Sequence, residues 1–123
     1  MKPIGPYSVS RTAGNLVFVS GQISDPSKDI KAQTSDILSR ISTILEGHGL
    51  ALGHVVKTTV FMTDLKDFDV MNSVYATYFK EPYPARSTIE VSALPKGVQI
   101  EIEVIASLAS AEHPSDKSIA RLV

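Results

Sequence analysis

The run His54 to Met62 reads as a strand in which neither face is plainly polar: Val55, Lys57, Thr59 and Phe61 alternate with Val56, Thr58, Val60 and Met62. A strand sends those two sets to opposite sides of a sheet. Leu16 to Ser20 repeats the pattern, with Leu16 and Phe18 set against Val17 and Val19. Strands of this kind need cover on both sides, yet only two stretches of the chain have helical period. Two helices close one side of such a sheet and leave the other open. For a chain of 123 residues, one domain by size, a symmetric homo-oligomer is the economical cover. Spacing alone leaves a dimer open.

The first helical stretch lies between Asp29 and His48, where Ile30, Ile37, Leu38, Ile41, Ile44 and Leu45 form one stripe and Gly47 and Gly49 act as stops. The second follows Asp67, a candidate N-cap, with Phe68, Met71, Tyr75, Tyr78 and Phe79 at spacings of three and four until Pro82 and Pro84 forbid continuation. Strands are expected at Tyr7 to Thr12, Leu16 to Ser20, His54 to Met62, Ala85 to Val91 and Gln99 to Leu108, the first pair turned by Ala13-Gly14-Asn15. The fold class is therefore α+β, a mixed sheet with two helices on one face.

Charge and cysteine content narrow the chemistry. Twelve Lys plus Arg stand against thirteen Asp plus Glu, with no basic run carrying interleaved aromatics, so nucleic acid is not an expected partner. Cysteine is absent, which removes thiolate nucleophiles and disulfides and accords with a reducing, cytoplasmic setting. No run approaches the length of a membrane span. His48, His54 and His113 lack metal-ligand spacing, and no Ser sits in a GxSxG turn. Neither metal nor organic cofactor is expected.

What remains is an arginine and a carboxylate on two strands consecutive in the chain. Pro84-Ala85-Arg86-Ser87-Thr88-Ile89-Glu90-Val91 leads through Leu94-Pro95-Lys96-Gly97 to Gln99-Ile100-Glu101-Ile102-Glu103. Arg86 offers a planar fork that fits a carboxylate, and a nearby Glu can orient or deprotonate water. By spacing alone the pair reads first as a cross-strand ion pair on a wet face.

Context changes that reading. Gly5 to Ser8 (GPYS), Val17 to Ile23 (VFVSGQI), Val55 to Phe68 (VVKTTVFMTDLKDF), Val74 to Phe79 (VYATYF) and the PARSTIEV, LPKG and IEIEVIA segments together resemble the RidA/YjgF family of reactive-intermediate imine deaminases. The resemblance runs from about Pro3 to about Ala109 with the motifs in family order, which implies a single domain over 1–109 and leaves 110–123 as a C-terminal tail without assigned function.

It implies a trimer around a central barrel, with sites between subunits, that hydrolyses 2-imino acids to 2-keto acids and ammonia without a cofactor. It further implies that Arg86 binds the substrate carboxylate and Glu101 positions water, with Glu103 the natural rival for that second role. Tyr7 would line the pocket from the adjoining subunit, Ser20 and Gly21 would approach the ligand, Thr88 would meet the imine nitrogen through its backbone, and Asn72 would stand nearby. Many bacterial members carry Cys at the position of Thr88 and Gln at that of Val9, and Ser24 to Asp29 is shorter than the usual family loop. These departures bear on substrate preference and pocket access. The competing readings are a non-catalytic module that captures 2-keto acids, and an endoribonuclease, against which the balanced charge and unpaired histidines argue.

Overall fold

A computed structural model describes residues 2–109. The expected tail, 110–123, lies outside the described residues. Seven main elements follow one another: β1 (Ser10–Ala13), β2 (Leu16–Gln22), α1 (Ile30–Glu46), β3 (Val55–Met62), α2 (Phe68–Tyr78), β4 (Ala85–Glu90) and β5 (Ile100–Ser107). The strands form one sheet in the order β1-β2-β5-β3-β4. Only β3 and β4 are parallel, joined by α2; the other neighbours are antiparallel. The mixed sheet with two helices matches the expected class.

The helices begin and end for local reasons. Asp29 caps α1, its carboxylate accepting from the Ala32 N–H at 2.8 Å, and Gly47 closes the far end. Asp67, the expected cap of α2, makes no side-chain capping bond. The cap falls a turn earlier, where Asp64 Oδ1 accepts from the Lys66 N–H at 2.9 Å and a short 3-10 turn, Leu65–Asp67, feeds into α2. The chain before Ser10 is likewise not strand: Tyr7 sits in a turn, its N–H donating to the Gly5 carbonyl at 2.8 Å.

Both helices lie on one face of the sheet. Val17 and Val19 of β2, Val60 and Met62 of β3, and Ile100, Ile102, Val104 and Ala106 of β5 are buried there against Ile37, Leu38, Ile41 and Leu45 of α1 and Met71 of α2. Each of these side chains larger than alanine contributes about 1.5–3 kcal/mol relative to an exposed position. Buried Gln33 ties this layer to the loops: its amide donates to the Lys28 carbonyl at 2.8 Å and its Oε1 accepts from the Gln99 N–H at 3.0 Å, just before β5. The opposite face is open. Leu16, Phe18 and Ile89 remain exposed on it, as the alternation requires.

Simple alternation fails at one point in β3. Val55 pairs with Ala106 and Lys57 with Ile105, so Val56 is an extra residue in the strand. Val55 therefore shares the helix-covered face with Thr58, Val60 and Met62, rather than the face of Lys57. A second bulge falls in β2 between Val19 and Gln22, at Ser20 and Gly21.

Candidate functional site

Arg86 and Glu101 do not form the cross-strand pair that their spacing invites. β3 lies between β4 and β5 in the sheet. Arg86 pairs with Thr58 and Thr88 with Val60, both on the helix-covered face, whereas Glu101 pairs with Phe61 on the open one. The two candidate groups thus project from opposite faces of one sheet.

Arg86 stands on β4, an edge strand. Its guanidinium carbon lies 4.8 Å from the centroid of the Tyr75 ring and 5.6 Å from that of Phe68. Those rings come from α2, where Phe68, Asn72 and Tyr75 are spaced by four and three and so share a side of the helix. This places Asn72 and Thr88 with Arg86. Tyr75 is itself fixed, its hydroxyl 2.8 Å from that of buried Thr58. Burial pushes the phenol's pKa up, against the opposing effects of the Thr58 hydrogen bond and the Arg86 charge.

Glu101 lies in a cleft of about 690 Å³ whose lining includes Tyr7, Ser20, Gly21, Lys96 and Glu103. The bulge in β2 makes room for it. A Cβ on Gly21 would stand 2.3 Å from Glu101 Oε2, so the glycine is required by the close approach of the carboxylate. Ser20 Oγ donates to the Ser8 carbonyl at 2.6 Å, which ties the arm carrying Tyr7 to the strand end. Desolvation by burial raises the Glu101 pKa, and the neighbouring Glu103 charge raises it further. Glu103 lies two residues on, more exposed, opposite Thr59.

The expected residues therefore gather as two separate groups, with Arg86, Thr88 and Asn72 in one and Tyr7, Ser20, Gly21 and Glu101 in the other. Sequence reading assigns Phe68 and Tyr75 to packing alone and overlooks their stacking on Arg86. The signal was the placement of Asn72 between them at helical spacing, with an arginine on the following strand. Lys96, also missed, borders the cleft from the turn before β5, where it takes a positive φ of 58°. His48 bonds Ser10 at 2.9 Å through Nε2, and His54 Nδ1 accepts from the Ala51 N–H at 3.1 Å, both of them local ties. His113 lies outside the described residues. Among the described residues no group of three or more His, Cys, Asp or Glu could hold a metal, and no helix is long and apolar enough to cross a membrane.

Known proteins resemble this chain in sequence and in fold. A RutC family protein of Pyrococcus horikoshii is 53% identical over 112 residues, spanning 85% of this chain and 89% of that protein. The 2-iminobutanoate/2-iminopropanoate deaminase of Salmonella typhimurium is 46% identical over 112 residues, spanning 84% and 88%. The crystal structure of RidA from an Antarctic Psychrobacter superposes with a TM-score of 0.83 at 40% identity, covering 86% of this chain and 91% of that one. The family model described as Endoribonuclease L-PSP matches residues 1–108. With sheet, motifs and relatives in agreement, the chain belongs to the RidA/YjgF family.

Proposed function

We propose that this protein hydrolyses reactive 2-imino acids to 2-keto acids and ammonia, in sites assembled between copies of the chain in a homotrimer. The observation that carries the reading is the environment of Glu101: a carboxylate pressed against Gly21 in a cleft, its pKa raised by burial. A carboxylate whose pKa is raised in this way is a stronger base toward water than an exposed one. The Salmonella relative named as a 2-iminobutanoate/2-iminopropanoate deaminase supports the substrate class.

In this mechanism Arg86 binds the substrate carboxylate through its fork and aims the adjoining C=N carbon at the cleft of the neighbouring copy. Glu101 takes a proton from the water as its oxygen attacks that carbon, the C=N π pair moving to nitrogen, which takes up a proton. Glu101 supplies that proton, then relays the hydroxyl proton of the carbinolamine to the amine, and the C–N bond breaks to release ammonia as the C=O forms. Thr88 meets the imine nitrogen through its backbone, Asn72 and Ser20 supply polar contacts, and Tyr7 closes the wall. Opposite-face placement of Arg86 and Glu101 favours a site built from two copies, and the open apolar face favours their association.

The test is subunit complementation. Arg86→Ala and Glu101→Gln are each expected to abolish acceleration of 2-iminobutanoate hydrolysis, measured as 2-oxobutanoate release. Mixed and reassembled in equal amounts, they should regain about a quarter of native activity, because random neighbours restore one intact pairing in about four. No recovery from well-assembled hybrids would rule out the shared site, and no hydrolysis by the native protein would rule out the deaminase.

A further inference from the structure

Arg86 is held where a binding arginine is usually free to swing. Its guanidinium stacks on Tyr75 at 4.8 Å and on Phe68 at 5.6 Å. The Tyr75 hydroxyl is bonded at 2.8 Å to Thr58, which is fully buried and pairs directly with Arg86 across the β3–β4 ladder. Strand, ring and hydroxyl therefore close a loop of contacts that returns to Arg86. Tyr75 also packs on Phe79, the residue that caps α2, ring centroids 4.5 Å apart, so the ring is braced on a second side.

We infer that Tyr75, locked by Thr58, is a positioning residue that holds the Arg86 guanidinium in one orientation for carboxylate capture, with Phe68 as the second ring. The physical reason is entropic. A free arginine loses side-chain freedom on closing a two-pronged contact, whereas one already stacked on aromatic faces has lost it during folding. Cation–π attraction supplies the hold, and the rings leave the in-plane N–H groups free to donate to an anion. The buried Thr58 hydroxyl keeps the Tyr75 ring from turning, since either group left alone would be an unsatisfied polar atom in the core.

The catalytic consequence rests on the deaminase reading, but the geometric claim does not, and two readouts separate them. The Arg86 Nε–Hε NMR signal should be displaced by ring currents in the native protein and return toward the free-arginine position in Tyr75→Leu. In turnover with 2-iminobutanoate, Tyr75→Leu should raise KM about ten-fold while kcat changes little, because the ring acts on binding alone. Tyr75→Phe and Thr58→Val should raise KM by a smaller factor, about three-fold, since the ring remains but its anchor is lost. A folded, assembled Tyr75→Leu with native KM would overturn the proposal, as would an undisplaced Arg86 signal in the native protein. If Tyr75→Leu fails to assemble, Tyr75→Phe and Thr58→Val decide by KM, a native KM in both overturning the proposal. A displaced signal in a native protein that hydrolyses nothing would uphold the cradle and reject the deaminase.

Discussion

The two faces of the sheet use the same strands for different ends. On the helix-covered face, alternate residues of β2, β3 and β5 meet α1 and α2 and are almost fully buried. The charged candidate there, Arg86, lies at the β4 edge and stacks on two aromatic rings of α2. On the open face, Leu16, Phe18 and Ile89 remain exposed, and Glu101 sits in a cleft bounded by a loop arm and a bulge. The difference teaches that the covered face is complete within one chain and can hold a side chain rigidly. The open face carries exposed apolar side chains within one chain, and under the proposed trimer a second copy would cover them.

The largest expected effect comes from attacking the open face itself. Phe18→Asp should abolish assembly and with it all deaminase activity, since a charge there cannot be buried against a neighbour. Light scattering coupled to size exclusion checks the first and 2-oxobutanoate release the second. A native protein that is monomeric yet active would break the contrast between the faces outright.

A smaller loss should follow from filling the bulge. Gly21→Ala forces the Glu101 carboxylate aside, because the new methyl would stand 2.3 Å from Oε2. The clash is with the end of a flexible side chain, so the fold should tolerate it. We expect kcat to fall on the order of ten- to a hundred-fold with KM nearly native, as for a displaced general base. An unchanged kcat would remove Glu101 from the chemistry.

The smallest effect is on stability against pH. Burial raises the Glu101 pKa above its unfolded value, so the folded state holds the proton more tightly than the unfolded one. Stability is therefore lost as pH rises from the unfolded pKa through the folded one, and ionised Glu101 is a cost at neutral pH. Glu101→Gln should melt a little higher than native at pH 7, with the gap narrowing on acidification. Thermal melts at several pH values read this directly, and a variant less stable at pH 7 would contradict the desolvated cleft.

Much of this was legible in the residues. The stripe from Ile30 to Leu45 and the stop at Gly47 gave α1, Pro82 and Pro84 marked the chain beyond α2, and alternation gave the strands. Arg86, Thr88 and Glu101 were picked out by motif, and Gly21 by its place in SGQ. Less visible were the bulges at Val56 and Ser20-Gly21. A bulge is an extra residue relative to a partner strand, and the partner is not named by local sequence. The same blindness hid Tyr75 beneath Arg86, because a tyrosine in an apolar stripe looks like any other core residue.

Sequence by itself determined the helices, the approximate strands and the identities of the groups able to do chemistry, because period and side-chain type are local properties. Tertiary structure alone decided that β3 runs between β4 and β5 and that Arg86 and Glu101 face opposite ways. Strand order is set by which long-range pairings bury the most apolar surface together, and that depends on the whole chain at once.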